Sequence, residues 1–415
     1  MFRKLTLTML LALFGLATNL DAQTIVDWSG NIGTKTYYSG TTTVTLTGDA
    51  NLNRVVTVKS GAKLIINGNG HTIKRTYAGA YFDVQGTGTD SGNQTTLVIK
   101  GTSTSQMVLD GGAVFNTACD ARSGFKSGIK ASHAMIYCSG SLQMEYVDLQ
   151  NCHYTTSNGT DDRGSGIILH DATAGSHTVR ESTLTNVVIK GCLGYTGSAV
   201  NISSINYCAK LTMTNCEISK CKTSTEGGMI RTIGSVATNI TISGGKIANN
   251  ASVQNGGAIF FNAGGTAGGT TAPTQFTIKD GTEICHNTAV NQGGAILNSS
   301  VMDLQSAKIH HNTAADGGGI YLTTYGNTGI LNVPWQVKVS QNVSIYNNTA
   351  TNHGGGLYLS VSHSRQIKPM TGDGSTAKFK LELDGGQVYG NTATTGGAVF
   401  LYDTAPKVVK NSDNN

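Results

Sequence analysis

Short runs of alternating apolar and polar residues recur along the chain after its first 22 residues. Phe276-Thr277-Ile278 is one such run, and the segment from Val44 to Ile73 contains several. Alternation over three to five residues predicts a short β-strand, and the glycine-rich polar segments between the runs predict turns. Because no helical periodicity follows the first 22 residues, the pattern predicts an all-β protein.

The runs belong to a repeat in the second half of the chain. Each copy reads as an aliphatic residue, two variable residues, asparagine, a polar turn, a glycine pair, a small residue and an aliphatic residue. The glycine pairs begin at residues 256, 293, 317, 354 and 396, so the spacing ranges from 24 to 42 residues. A coil of about 24 residues with loop insertions explains this spread.

Upstream copies carry cysteine in place of the asparagine. Adjacent coils lie about 4.8 Å apart, so equivalent side chains stack and asparagines can hydrogen-bond into a ladder. The predicted ladder residues are Cys152, Cys192, Cys221, Asn250, Asn287, Asn312, Asn348 and Asn391. The stacked cysteines place their Cβ atoms above the preferred disulfide range of about 3.5–4.5 Å, so free thiols are expected there. Disulfide pairing stays open for Cys119, Cys138, Cys208 and Cys216.

Three short strands in a coil of about 24 residues are typical of a parallel β-helix, and parallel crossovers are right-handed in nearly all proteins. We therefore predict an all-β, right-handed parallel β-helix, a solenoid with about three short strands per coil. The expected organisation is a signal peptide over residues 1–22, one β-helix over 23–405 and a tail over 406–415. Within the β-helix, residues 23–60 form the N-terminal cap and first strands, and residues 145–402 hold the clearest repeats.

The first residues predict export. Arg3 and Lys4 precede a short apolar run from Leu5 to Ala17, and the small residue Ala22 follows at the expected cleavage point. This is the pattern of a secretory signal peptide. No later segment has about 20 consecutive apolar residues, so no transmembrane segment is expected in the mature chain. We expect a bacterial protein that is secreted or held at the cell surface, with outer-membrane association as one form of the latter.

Composition agrees with this fold and narrows the function. The chain has 54 glycines for tight turns but only 4 prolines, since interior strands need their N–H groups. Charged residues make up 13%, and the net charge of +5 comes from scattered lysines and arginines. Scattered charge argues against a nucleic-acid partner.

The aliphatic-x-x-Asn element followed by Gly-Gly-Ala-Ile, as in Ile247 to Asn250 with Gly256 to Ile259, resembles the repeat of the polymorphic outer-membrane proteins and related adhesin-like β-helix proteins. The better copies cover about residues 240–402, and weaker ones reach back to about 145. The leading aliphatic residue is Ile or Val here, where that family usually has Phe. The N-terminal part is similar to pectin-lyase-like folds. The resemblance implies a β-helix at the cell surface with an adhesin-like role.

The densest group of ionisable residues is a candidate for polysaccharide cleavage. It consists of Asp161, Asp162, Arg163 and His170. Polysaccharide-cleaving enzymes use paired carboxylates, or Ca²⁺ with a basic residue. However, adjacent carboxylates on a strand point to opposite faces, and a polar insertion loop explains the group equally well. We therefore assign no catalytic residue.

An aromatic column is the candidate binding surface. Aligning the copies on their glycine pairs stacks Phe260, Leu297, Tyr321, Tyr358 and Phe400 beside the inward aliphatic residue. Alternation turns this column outward, where Phe260, Tyr321, Tyr358 and Phe400 could stack on sugar rings or contact a protein. Structural stacking that stabilises the sheet is the alternative.

A metal site is not predicted. His286 and His311 share a column on consecutive coils, with His310 beside them, and two stacked imidazoles can bind a metal. No carboxylate or thiolate completes the set, because alternation sends Cys285 to the other face. The chain also has no Cys-x-x-Cys pair.

The sequence favours an adhesin-like surface protein that uses an elongated exposed face, without a cofactor. Its expected partners are an extracellular carbohydrate or a host or cell-surface protein, and its open coil ends allow end-to-end association. A polysaccharide lyase or glycoside hydrolase is the main alternative, and a purely structural surface protein is the third. An enzyme requires carboxylates and a basic residue clustered on adjacent coils, whereas a structural protein shows neither such a cluster nor a binding face.

Overall fold

Three parallel sheets run along the protein: two receive strands from the early and the late coils, and the third begins at Leu193. The computed structural model describes residues 24–86, 95–155, 164–170, 180–203, 209–225, 227–234, 238–263, 275–323, 336–361 and 380–403. The described strands of different coils all pair in parallel, as in Ile259↔Ile296↔Ile320↔Leu357↔Val399. This arrangement confirms the predicted parallel β-helix.

The long sheet contains 20 of the described strands. Most coils contribute two short strands to it, and the two fuse into one continuous strand over Thr24–Asn31, Gly40–Leu52, Val301–His310 and Gln336–Tyr346. Its strands are β1 (Thr24–Asn31), β3 (Gly40–Leu52), β5 (Ala62–Asn67), β6 (Thr72–Arg75), β8 (Thr96–Lys100), β9 (Met107–Asp110), β13 (Ser141–Glu145), β14 (Val147–Gln150), β16 (Arg180–Thr185), β17 (Val188–Lys190), β20 (Ala209–Thr214), β21 (Glu217–Ser219), β24 (Thr238–Ser243), β25 (Lys246–Ala248), β28 (Gln275–Lys279), β29 (Thr282–Cys285), β32 (Val301–His310), β35 (Gln336–Tyr346), β38 (Lys380–Asp384) and β39 (Gln387–Tyr389).

The second sheet has 12 described strands, one from each coil. They are β2 (Lys35–Tyr37), β4 (Val56–Val58), β7 (Phe82–Val84), β12 (Ile136–Cys138), β15 (Ile167–His170), β19 (Val200–Ser203), β23 (Ile230–Gly234), β27 (Ile259–Ala263), β31 (Ile296–Asn298), β34 (Ile320–Thr323), β37 (Leu357–Val361) and β40 (Val399–Asp403).

The short sheet lies between the other two in the later coils. Its 6 described strands are β18 (Leu193–Gly194), β22 (Lys222–Thr223), β26 (Ala251–Ser252), β30 (Thr288–Ala289), β33 (Thr313–Asp316) and β36 (Thr349–His353). An antiparallel hairpin, β10 (Ala113–Thr117) and β11 (Asp120–Gly128), interrupts an early coil. The repeat pattern gave no sign of this hairpin, since it lies upstream of the clear copies.

One continuous apolar core fills the space between the sheets. Because side chains alternate across a strand, Phe276, Ile278 and Ile284 point inward and are fully buried. Burying an aliphatic or aromatic side chain of this size contributes about 1.5–3 kcal/mol, and stacking the coils repeats the gain along the rod.

In the clear repeats, differences in coil length fall mainly at one corner. Between the end of a long-sheet strand and the next second-sheet strand, residue numbers advance from 285 to 296, 310 to 320, 346 to 357 and 389 to 399. Between the second sheet and the next long-sheet strand they advance from 263 to 275, 298 to 301, 323 to 336 and 361 to 380. The insertions that the repeat spacing predicted therefore follow the second sheet.

Glycine pairs mark the turn into the second sheet. Gly317 has φ +65°, in the left-handed region, and a Cβ there would lie 2.7 Å from the Ile320 carbonyl oxygen. A Cβ on Gly318 would lie 2.5 Å from the Thr349 carbonyl of the next coil. The first glycine is therefore required by conformation and space, and the second by close approach of the next coil.

Candidate functional site

A regular column of threonines lies on the outer face of the long sheet. Thr183, Thr212, Thr241 and Thr277 are register partners on four consecutive strands. Their inward neighbours, such as Leu184 and its equivalents, belong to the core. Thr183 is exposed and the other three are partly exposed, so their hydroxyls and methyl groups face solvent. We call this surface, with the parallel column Thr185, Thr214 and Ser243, the threonine face.

An open groove adjoins the threonine face towards the N-terminus. Its lining includes Lys100, Gln143, Glu145, Thr183 and Thr185, which lie on β8, β13 and β16. The groove offers hydroxyl, amide, carboxylate and ammonium groups within one small area. Such a mixture suits a polar ligand with several hydrogen-bonding groups.

Two lysines near the threonine face are in ion pairs. Lys210 Nζ lies 2.9 Å from Glu181 Oε1 on the adjacent strand, and Lys338 Nζ lies 3.4 Å from Asp384 Oδ2. Paired charges cancel much of each other's field at a distance, so these residues do not build a single-sign patch. The threonine columns themselves are polar and uncharged.

Sequence reasoning missed the threonine face. The signal was present as Thr-x-Thr in Thr183 to Thr185 and Thr212 to Thr214, and as Thr-x-Ser in Thr241 to Ser243. Alignment on the asparagines and glycine pairs does not reveal these columns, because those landmarks mark the turns and not the long-sheet strands. Alignment on the long-sheet strands places these pairs in columns.

The aromatic column exists, but it is not an exposed surface. Phe260, Tyr321 and Tyr358 are only 2%, 6% and 7% exposed, and they form a cluster separate from the main core, with Phe400 partly buried against it. The Tyr321 and Tyr358 rings stack with centroids 4.6 Å apart, and the Phe400 ring lies 5.2 Å from that of Tyr358. Burial raises the pKa of Tyr358 to about 12.

Exposure of this column was therefore predicted wrongly. Alternation correctly places these side chains outside the main core, but it does not indicate what covers them. Arg231 lies 5.9 Å above the Phe260 ring, and the His353 ring lies 4.7 Å from that of Phe400. His353 is itself held by Asp316, at 2.8 Å. A binding role for the column stays a prediction, and ring stacking is what the geometry shows.

The asparagine ladder uses every polar atom of its side chains. Asn348 shows the pattern: its Nδ2 donates to Ile309 O and to Asn391 Oδ1, each at 2.9 Å. Its Oδ1 accepts from the backbone N–H of Asn312 at 3.0 Å and from Asn312 Nδ2 at 2.9 Å. The same pattern links Asn250, Asn287 and Asn312. Two donors and two acceptor positions are thus satisfied in a buried amide.

The cysteines continue the ladder upstream with fewer hydrogen bonds. Cys221 N–H donates to Asn250 Oδ1 at 3.0 Å, and Cys192 N–H donates to Cys221 Sγ at 3.4 Å. The neighbouring Cys192 thiol and burial raise the pKa of Cys152 well above its usual value. In the part of the chain that the structure describes, every cysteine is a free thiol, and Cys208 lies outside it.

Three histidines, a cysteine and a glutamate meet on the outer side of β29 and β32. Cys285 and His310 are register partners on these strands, and His286 and His311 follow them. We call Glu283, Cys285, His286, His310 and His311 the histidine cluster. Ligand atoms of Cys285, His286 and His310 all lie within 4.8 Å of one another.

The expectation that Cys285 faces away from these histidines was wrong. His286 and His311 have φ values of +55° and +54°, in the left-handed region, whereas alternation holds only for extended residues. The chain turns at these two positions and returns each imidazole to the side on which the preceding residue already points. The rings of His286 and His311 stack with centroids 5.0 Å apart.

Glu283 is the hydrogen-bonding centre of the cluster. Its Oε1 lies 2.9 Å from Lys246 Nζ, 3.1 Å from His310 Nε2 and 3.2 Å from Cys285 Sγ. The Lys246 hydrogen bond is the largest cause that holds the pKa of Glu283 at about 2. Burial, reinforced by Glu283, raises the pKa of Cys285 to about 12.

The candidate catalytic group is not assembled by the described residues. Asp161, Asp162 and Arg163 lie outside them. His170, at the end of β15, is partly buried and stacks on Tyr137 at 5.3 Å between centroids. A catalytic role for this group stays a prediction.

Comparison with known proteins supports the repeat. Residues 342–360 match the Chlamydia polymorphic membrane protein repeat. This segment holds the ladder residue Asn348, the glycines from Gly354 and the aromatic Tyr358, so the resemblance inferred from the motif is confirmed there. Neither a curated protein nor a solved structure matches the chain. Among the described residues, no helix has the length and apolar character to cross a membrane. The chain thus contains a polymorphic membrane protein repeat within a parallel β-helix.

Proposed function

We propose that this protein is an exported, adhesin-like β-helix that acts at the cell surface and binds an extracellular partner through the threonine face. The signal-peptide pattern of residues 1–22 supports export, and the matched repeat supports a surface location because the family it describes is one of membrane proteins. The observation that carries the binding role is the threonine face, an exposed polar surface repeated in register over four coils.

An extended, uncharged glycan fits this face best. Threonine hydroxyls both donate and accept hydrogen bonds, as sugar hydroxyls do, and Lys210 beside the face is paired with Glu181. Equivalent groups recur about every 4.8 Å along the rod, so a polymer with repeating units can engage several at once. Weak contacts then add up to useful avidity.

Binding of the purified chain to a panel of extracellular glycans tests this function. The variant Thr212→Arg/Thr241→Arg places two bulky charges on the threonine face and is expected to weaken glycan binding at least tenfold. The matched control is Thr288→Arg/Thr349→Arg, two exposed threonines of the short sheet, which should leave binding unchanged.

Three results would contradict the proposal. If the wild-type protein binds no glycan but binds a surface protein, the ligand is a protein and the proposed glycan class is wrong. If the two double variants lose glycan affinity equally while their thermal stability is unchanged, the threonine face is not the binding surface. Release of unsaturated sugars that Asp162→Asn abolishes would establish the enzymatic alternative.

A further inference from the structure

The histidine cluster has the ligand set of a transition-metal site. A thiolate and imidazoles are the donors that Zn²⁺ prefers, in tetrahedral geometry with Zn–S of about 2.3 Å and Zn–N of about 2.0–2.1 Å. Ligand atoms around such an ion lie about 3.3–3.7 Å apart. The atoms of Cys285, His286 and His310 lie within 4.8 Å of one another, and His311 Nδ1 is 2.7 Å from His310 Nδ1. Three donors thus lie close to ligand spacing, and His311 offers a fourth beside His310.

We propose that Cys285 Sγ and one imidazole nitrogen each from His286, His310 and His311 bind one Zn²⁺ ion. The ion links two successive coils. Cys285 and His286 lie at the end of β29, and His310 and His311 lie at the end of β32. Binding requires Cys285 to release its thiol proton to solvent, because the metal ligand is the thiolate.

Glu283 orients the key imidazole. His310 Nε2 lies 3.1 Å from Glu283 Oε1, and a carboxylate can only accept, so the Nε2–H donates. The proton on Nε2 leaves the lone pair on Nδ1, which is the atom that faces His311. A carboxylate behind a metal-binding imidazole is a recurrent arrangement that fixes the tautomer and strengthens the ligand.

Two ligands of the histidine cluster are buried and two are exposed to solvent. Cys285 is fully buried and His310 is 9% exposed, while His286 and His311 are exposed. Tyr346 on the next coil stacks on the His310 ring with centroids 4.7 Å apart and 18° between planes, which restricts its rotation. An ion can thus reach a site whose deeper ligands are already positioned.

The donor set is confined to two coils. In the column of Cys285 and His310, the neighbouring coils carry Ala248 on one side and Tyr346 on the other. The left-handed column that holds His286 and His311 has Asn249 before them and Asn347 after them. The fold of the repeat therefore does not require these ligands. Asparagine occupies the equivalent left-handed position in the neighbouring coils, so it should replace the exposed histidines without disturbing the fold.

Titration of untagged, chelator-treated protein with Zn²⁺ and Co²⁺ tests the proposal. We expect one ion per chain, a rise in melting temperature with Zn²⁺, and a thiolate-to-Co²⁺ charge-transfer band. Cys285→Ser should abolish the band, and His311→Asn should weaken Zn²⁺ affinity at least tenfold. Glu283→Gln should keep the band but lower the affinity about 10- to 100-fold. His353→Asn, a histidine of the short sheet, is the control and should change neither.

Melting temperatures of the metal-free variants show whether each still folds. Saturable binding at one equivalent with these variant effects supports the site. Absence of saturable Co²⁺ binding by the wild type, or a charge-transfer band that survives Cys285→Ser in a folded variant, would overturn it.

Discussion

Removing one ladder amide should cost more stability than any exposed substitution in the same repeat. The side chain of Asn348 is fully buried and makes four hydrogen bonds of 2.9–3.0 Å. Asn348→Ala removes all four and leaves the backbone N–H of Asn312 without its acceptor. At about 1 kcal/mol for each bond, the expected loss in free energy of unfolding is about 4 kcal/mol.

Two further variants sharpen this test. Asn348→Cys reproduces the residue that the chain uses upstream, where a cysteine sulfur accepts a backbone N–H at 3.4 Å, so its loss should be about half as large. Asn342→Ala, at an exposed position of the same repeat, should change stability by less than about 0.5 kcal/mol.

Urea unfolding followed by circular dichroism, with chelator present, measures the three changes. A loss below about 1 kcal/mol for Asn348→Ala would refute the view that the ladder stabilises the stack. A cysteine variant less stable than the alanine variant would refute the interpretation of the upstream thiols as weaker members of the same ladder.

Three other predictions concern the turn, a buried histidine and a buried arginine. Gly318→Ala should destabilise by more than about 2 kcal/mol and Gly281→Ala by only about 1 kcal/mol in urea unfolding, because only the first Cβ would strike a carbonyl. Burial lowers the pKa of His153 from 6.5 to about 4, so the unfolded chain binds a proton before the folded one. Stability should therefore be complete above pH 6.5 and fall by up to about 3 kcal/mol towards pH 4, and thermal melts should show a smaller fall in His153→Phe. Arg75 is 1% exposed, and its Nε and Nη2 have no hydrogen-bond partner among the described residues. Arg75→Met should therefore leave the free energy of unfolding unchanged or raise it by about 1–2 kcal/mol, and a loss above about 2 kcal/mol would contradict this.

The coil, its parallel pairing and the alignment of ladder residues could be read from the sequence because they depend on local rules that repeat. Alternation identifies inward residues such as Ile284, and the recurring asparagine marks the same corner in each coil. The number of hydrogen bonds that each amide makes follows from the distance between coils, which the repeat implies.

The candidate sites were harder to predict because they depend on departures from those rules. The positive φ of His286 and His311 reverses the expected side of each imidazole, and a sequence pattern does not reveal a single left-handed residue of this kind. The covering of Phe260 and Tyr321 depends on residues from other coils, such as Arg231. The threonine face was readable, but only after strands were aligned on the long sheet.

The corner that follows the second sheet has a consequence for how such a protein diversifies. In the clear repeats, the part of a coil that leads from the long sheet to the second sheet keeps nearly the same length, since its strands are paired with the coils above and below. At that corner the number of residues changes from one coil to the next, while the second-sheet strands that precede it stay in register. Recombination or replication slippage at this corner can therefore change the loops on one side of the β-helix while the strands stay the same. Peptides inserted at the same corner should also be tolerated.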